Sequence, residues 1–316
     1  MNRELESLLK LAGERDQPSR EGRERAHVAA RNAWQKGLRE FAPVAPARRY
    51  FSIAAAACVI AAIGALLWMR DSGAPPVIVA QVMVVEGDAR VDGAAVVTES
   101  VMRSGGVLST GGGRVALTVG DALSLRVDSL TRLRFDGAGR VTLLEGAVYV
   151  DSGGLNGHTE LRIDTPAGAV RHVGTQFQVN VSDRTRVQVR EGRVILARKD
   201  QVFDLGAGDL VEVVAGKVRI EHGRPAFGSA WEWAAATAPD FDIENRPLAE
   251  FLAWLAREHG WRLRYADVAS QARSGEIRLH GSVAGLDAGG MLERVALITG
   301  VPLTVHEGVL SVGAQP

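Results

Sequence analysis

The sequence predicts a multidomain membrane protein: a short cytoplasmic helical segment, one transmembrane helix, an exported all-β domain, and a small C-terminal α+β domain of order βαββαββ. Three observations carry this reading. Nineteen consecutive residues from Phe51 to Met69 are uncharged. From Val77 to Glu221 apolar residues alternate in short runs punctuated by glycine, which is the period of strands. After Asp240 the spacing returns to that of amphipathic helices between short strands.

Residues 1–49 read as two amphipathic helices. Leu5, Leu8, Leu9 and Ala12 follow i, i+3, i+4, i+7 spacing before Gly13, and Ala26, Ala30, Ala33, Trp34, Gly37, Leu38 and Phe41 form a second stripe. Large apolar side chains are few, so the stripe needs a partner to bury it. Pro43 and Pro46 end the helix.

The run at 51–69 would extend about 28 Å as a helix at 1.5 Å per residue, close to the roughly 30 Å of a hydrocarbon core. Residues 1–49 hold eleven Lys or Arg, whereas beyond Arg70 none occurs until Arg90. The positive-inside rule therefore sets the N-terminus in the cytoplasm and residues 70–316 outside it. A fifty-residue, strongly patterned leader is far longer than the charged region of a cleaved signal, so the run reads as an anchor. Cys58, the only cysteine, lies within it, which leaves the exported part without internal disulfides.

The β domain, residues 77–222, carries three related units: Glu86–Gly87 leading to Val91, Glu145–Gly146 leading to Val150, and Glu191–Gly192 leading to Leu196. Each reads as a glycine turn followed by alternation toward a core, in either a sandwich or a solenoid. Gly223–Asp240 is a Trp-containing bridge. In the α+β domain, residues 239–316, the expected order is a strand at Phe241–Ile243, a helix opened by Pro247 and closed by Gly260, strands at Arg262–Tyr265 and Glu276–His280, a helix capped by Asp287 and closed by Gly300, and strands at Pro302–Val305 and Val309–Val312.

Lys plus Arg and Asp plus Glu balance at 37 each, which excludes the basic footprint of a nucleic-acid binder. The seven histidines are scattered without metal-ligand spacing. The runs Gly105–Gly106 and Gly111–Gly113 lack the Lys-Ser or Lys-Thr of a phosphate loop, and no nucleophile elbow or triad is recognisable. No cofactor, metal or small-molecule substrate is expected.

Thr165-Pro166-Ala167-Gly168 followed by His172-Val173-Gly174-Thr175-Gln176-Phe177-Gln178-Val179 resembles the signature of FecR-like transmembrane regulators. Leu108–Gly111 with Arg114–Leu117, Leu143–Gly146 and Val189–Val194 stand in that family's order, so the resemblance spans roughly Val77 to Val214. The stretches beginning at Phe241 and Leu279 resemble the short domain (STN) found at the N-termini of secretins and TonB-dependent transducers and at the C-termini of FecR-like proteins.

The resemblance implies an anti-sigma-type regulator in a bacterial inner membrane. Its exported part would meet the signalling domain of a TonB-dependent outer-membrane transducer, and its cytoplasmic segment would control an extracytoplasmic-function sigma factor, in response to iron or another nutrient. Trp34, Ala30 and Leu38 are the expected sigma-factor contacts. The resemblance also implies self-cleavage between Gly174 and Thr175, with His172 as a candidate proton carrier. The plainer reading of the same residues makes Gly174 a bulge and Thr175 an ordinary strand residue. An alternative for the whole chain is an anchored structural or envelope-binding β protein. A reporter fused after Pro76 is expected to be active only if it functions in the periplasm; activity of a cytoplasmic reporter there would reverse the topology.

Overall fold

The computed structural model describes residues 77–120, 122–153, 160–199 and 201–313, together with Arg25 and Val28. The sequence-predicted contacts Ala30, Trp34 and Leu38 and the apolar run at 51–69 lie outside these residues. No helix among the described residues is long and apolar enough to cross a membrane. All the elements below belong to one compact unit, Ala74–Pro316.

The first fifteen strands are β1 (Ile78–Glu86), β2 (Ala89–Val91), β3 (Ala94–Ala95), β4 (Val101–Arg103), β5 (Val107–Thr110), β6 (Arg114–Val119), β7 (Leu123–Val127), β8 (Arg132–Gly137), β9 (Arg140–Asp151), β10 (Arg162–Thr165), β11 (Gly168–Val181), β12 (Thr185–Arg198), β13 (Gln201–Gly206), β14 (Leu210–Val214) and β15 (Lys217–Glu221). Hydrogen bonding joins them into one sheet that folds into two layers. One layer runs β4-β1-β6-β7-β9-β11-β12-β14-β15, using the second halves of β9 and β11 and the first half of β12. The other runs β3-β2-β5-β8-β9-β10-β11-β12-β13 and uses the remaining halves.

The Glu-Gly units sit where the chain passes between these layers. β9 pairs with β8 up to Glu145 and with β7 and β11 from Gly146 onward. β12 pairs with β14 before Glu191–Gly192 and with β13 after it. Glu86–Gly87 likewise separates β1 from β2. The expected glycine turns are thus corners of continuous strands in two of the three units. Glycine is required at them because backbone comes within contact distance: at Gly146 (φ 90°) a Cβ would collide with Thr131, and at Gly192 (φ 79°) with Gly174 O and Thr175 Cγ2.

Between the layers lies a continuous apolar core. Leu117, Leu125, Val148, Val150, Phe177 and Val187 face Leu108, Leu133, Phe135, Val141 and Leu143, all nearly or fully excluded from solvent. At about 1.5 to 3 kcal/mol for each fully buried Val, Leu or Phe side chain, this seam holds the layers together without cross-links.

The chain then forms α1 (Ser229–Ala236), β16 (Arg246–Pro247), α2 (Leu248–His259), β17 (Arg262–Tyr265), α3 (Val268–Glu276), β18 (Arg278–Leu279), α4 (Ala288–Thr299), β19 (Leu303–His306) and β20 (Val309–Val312). The observed order after the bridge is βαβαβαββ, which corrects the expected βαββαββ. Asp267, whose side chain accepts from Ser270 N–H at 2.6 Å, opens the extra helix α3, and that helix absorbs Glu276 from the expected strand. Phe241–Ile243 is not a strand; the first strand is the short pair Arg246–Pro247 against β18. The bridge contains a helix, α1, that the Trp-rich sequence did not signal. Caps at Asp287, Gly260 and Gly300 fall where the sequence placed them, the two glycines in the left-handed conformation.

Gly192→Ala is expected to destabilise the protein by about 2 to 4 kcal/mol, the sum of a positive-φ penalty and overpacking at a backbone contact. The urea midpoint measures it; a loss below about 0.5 kcal/mol, the usual range for a surface substitution, would mean that the corner relaxes freely.

Candidate functional site

Across β11 and β12, Val173 pairs with Arg193 and Gln176 with Glu191, so Gly174 and Thr175 together face the single residue Gly192. Gly174 has φ 57°. This is a bulge with a left-handed glycine in its first position. Thr175 is fully buried. Its N–H donates to Ser152 Oγ at 2.7 Å, and its carbonyl accepts from Ser152 N–H at 3.1 Å and from Ser152 Oγ at 3.3 Å. Ser152 thereby satisfies the backbone groups that the bulge removes from the ladder. Among the described residues the Thr175 hydroxyl has no hydrogen-bond partner. An unpaired buried hydroxyl ordinarily costs about 1 to 3 kcal/mol, so its retention here marks the position for a chemical explanation.

His172 points into the core, on the face of β11 that carries Val170. Its ring lies 5.5 Å from that of Phe177, and Nε2 accepts from Leu161 N–H at 3.1 Å. Nδ1 is buried and has no hydrogen-bond partner among the described residues. Burial pushes the imidazole below its usual pKa, against the opposing charge of Glu160, and this favours the neutral ring. Of the three residues singled out, the structure brings Gly174 and Thr175 into one bulge. Among the described residues no hydrogen bond joins His172 to either.

The bulge lies at the edge of a second feature. Alternation puts Leu125, Val150, Phe177 and Val189 into the core and leaves Arg126, Asp151, Gln176 and Arg190 on the outer face of their layer, with Tyr149 among them. This polar face is nonetheless buried, because α1 and the C-terminal end of α2 lie over it. Arg126, its side chain only 2% exposed, forms a two-pronged ion pair with Glu258 at 2.6 and 2.9 Å and donates to Ala234 O at 2.7 Å. Burial opposes the charge on Arg126, but the Glu258 carboxylate outweighs it and holds the guanidinium above its usual pKa.

Arg190 donates to Glu258 O at 2.9 Å and stacks over the Trp231 ring at 4.4 Å and the Tyr149 ring at 5.6 Å. Among the described residues its other two nitrogens have no hydrogen-bond partner, and the two aromatic faces supply the compensation for its burial. Burial pushes Arg190 below its usual pKa and pushes the Tyr149 hydroxyl well above its own.

Arg257 completes the contact. It meets Asp151 at 2.5 and 3.1 Å and Glu191 at 2.9 Å, while Gln176 Nε2 donates to Asp151 at 2.8 Å and to Arg257 O at 3.4 Å. Burial alone would raise the Asp151 carboxyl, but its hydrogen bonds and ion pair with Arg257 prevail and hold it below the usual carboxylate range. Among the described residues no group of three or more His, Cys, Asp or Glu side chains is arranged to hold a metal ion.

Only Glu258 of these docking residues left a trace in the sequence. It continues the stripe Leu248, Phe251, Leu252, Leu255 by another three positions, so an acid stands where an apolar residue is due. Arg126, Asp151 and Arg190 occupy outward positions of alternating strands, where charge is ordinarily solvated. Ser152 falls in the run Asp-Ser-Gly-Gly, which reads as a turn.

The class defined by this geometry is a two-layer β domain with a small α/β module docked on a polar sheet face. The model of the family described as FecR protein matches residues 106–195, so a FecR domain lies within the strands from β5 into β12, with the Gly174–Thr175 bulge inside it. Two crystal structures from Parabacteroides distasonis ATCC 8503, at 2.50 and 1.65 Å resolution and described as those of "a putative anti-sigma factor", are similar to this chain at 15% identity, covering 66% of it and 99% of their own chain with a TM-score of 0.35. No curated protein matches the chain.

Glu258→Ala is expected to cost about 3 to 5 kcal/mol because it strands the Arg126 charge, whereas replacing both partners by Met and Leu is expected to recover most of that loss. Chemical unfolding of the single and double variants measures the difference. Equal destabilisation by both would mean that the pair is not what the contact depends on.

Proposed function

We propose that the protein is a membrane-anchored regulator of a sigma factor. In this reading the β domain and its docked module are the exported sensor, residues 51–69 the anchor, and residues 1–49 the segment that binds an extracytoplasmic-function sigma factor in the cytoplasm. The observation that carries it is the FecR match over residues 106–195, together with the charge asymmetry about the apolar run. The resemblance of the C-terminal stretches to the short domain of TonB-dependent transducers favours such a transducer in the outer membrane as the partner that delivers the signal.

Self-cleavage at Gly174–Thr175 belongs to the same proposal. The Thr175 hydroxyl adds to the Gly174 carbonyl carbon, the carbon–nitrogen bond breaks, and the hydroxyl proton ends on the Thr175 nitrogen. The resulting ester is then opened by water, which leaves a Gly174 carboxylate, the restored Thr175 hydroxyl and a free amine. Support comes from the left-handed glycine and, among the described residues, the unpaired hydroxyl and the lack of a ladder partner on the Thr175 amide. The two fragments would stay joined through β9, β11 and β12 until pulled apart.

The experiment is binding of residues 1–49 to the sigma factors of the cell. Trp34→Ala is expected to weaken the complex by about 2 kcal/mol, as for an aromatic anchor at the centre of a thin interface. Failure of residues 1–49 to bind any sigma factor would remove the regulatory reading and favour an anchored envelope-binding protein.

A further inference from the structure

Arg257 grips three residues, and each is the chain neighbour of a residue at the bulge. Asp151 precedes Ser152, Gln176 follows Thr175, and Glu191 precedes Gly192. Two of these are ion-pair partners of the Arg257 guanidinium, and the third donates to its backbone oxygen. The carboxylate of Asp151 also accepts from Gly153 N–H at 2.8 Å, so Ser152 is held between two residues fixed to one side chain. A single arginine of the docked module therefore sets the three backbone strands that converge on Gly174–Thr175.

We propose that Ser152 is the residue that positions the Thr175 amide for self-cleavage, and that docking of the C-terminal module through Arg257 keeps Ser152 in place. The inference rests on the self-cleavage reading above and concerns how that step is assisted and governed. During acyl transfer the Thr175 nitrogen changes from a planar amide to a tetrahedral amine and gains the hydroxyl proton. A ladder carbonyl would hold the N–H in the plane of the sheet. Ser152 Oγ is a single rotatable group, already 2.7 Å from that nitrogen, and can accept its N–H before transfer and donate to its lone pair as the bond breaks. Its backbone N–H meanwhile anchors the Thr175 carbonyl at 3.1 Å, which fixes the side of the bulge away from the reacting carbonyl.

The second half of the proposal follows from where the grip lies. Separation of the module withdraws Arg257 from Asp151, Gln176 and Glu191 together, and Ser152 loses the register on which its 2.7 Å contact depends. The seam is reachable: a cleft of about 350 Å³ opens beside it, lined by Gln176, Arg190, Glu191, Arg257 and Trp261 among others. Cleavage is accordingly fastest in the docked state and slows when the module is displaced.

Purified full-length protein, incubated near neutral pH and followed on denaturing gels with mass analysis of the fragments, provides the test. Wild type is expected to split between Gly174 and Thr175, faster with hydroxylamine, which opens esters and leaves amides intact; Thr175→Ala is expected to stay whole. If wild type also stays whole, the self-cleavage reading fails and this inference fails with it. Given cleavage, Ser152→Cys, nearly isosteric but a poor acceptor, is expected to slow it at least about ten-fold, the low end of what a positioned proton-handling group contributes. Arg257→Ala is expected to slow it by several-fold, with Arg257→Lys regaining most of the rate. Circular dichroism of each variant separates these effects from unfolding. Folded Ser152→Cys and Arg257→Ala proteins that cleave at the wild-type rate would overturn the proposal while leaving self-cleavage intact.

Discussion

The constraint on which the architecture depends is the charge of Arg126 at the centre of a sheet face. It stands on β7 between Leu125 and Val127, both facing the apolar core, so its own side chain must project outward. Outward would ordinarily mean into water, but this guanidinium is buried. An unpaired ion in that position would cost several kcal/mol, more than most single contacts return. Glu258, 132 residues further along the chain, supplies the counter-charge, and Ala234 O takes another N–H of the same group. The β domain and the C-terminal module are thereby bound to one another energetically: each supplies the partner that the other's buried charge requires in the docked state.

The same contact explains the aromatic content of the bridge. Trp231 and Tyr149 meet edge to face with ring centres 6.3 Å apart, and Arg190 lies over both. Two cations and two rings in one layer are compatible because each guanidinium is either ion-paired or covered by π faces. A purely apolar helix laid on this face would leave Arg126 and Arg190 unsatisfied, so α1 is short and its register is set by Trp231 and by the Ala234 carbonyl.

Much of the fold was legible in the sequence for physical reasons. Strand alternation is local, and capping by Asp287, Gly260 and Gly300 depends on residue type at a fixed offset. Corners at Glu145–Gly146 and Glu191–Gly192 were visible as glycine punctuation but not as corners, because whether a glycine turns the chain back or lets a strand bend depends on the backbone opposite it. The missed helices have equally specific causes. α1 is held by long-range contacts of Trp231 and Ala234, and α3 by a cap at Asp267 within a stretch of low hydrophobicity. Gly174 and Thr175 could be singled out from their neighbours in the chain. Ser152, Asp151 and Arg257 could not, since their roles arise from pairings of strands and modules up to 106 residues apart.

The polarity of the docking face bears on how it can act. A seam of leucines would hold the module at least as firmly, but separating it would expose apolar surface at roughly 25 cal/mol per Å² with nothing to offset the loss. A seam of carboxylates, guanidinia and amides differs on separation, because water rehydrates every group that the module released. Its strength therefore rests on register: Arg257 must meet Asp151 and Glu191 together, and Arg126 must meet Glu258 with both prongs, or the desolvation of each group is left uncompensated. Such a contact is firm when aligned and weakens steeply when displaced. The charged seam thus supplies a sensitivity to alignment that an apolar one, free to slide, would lack.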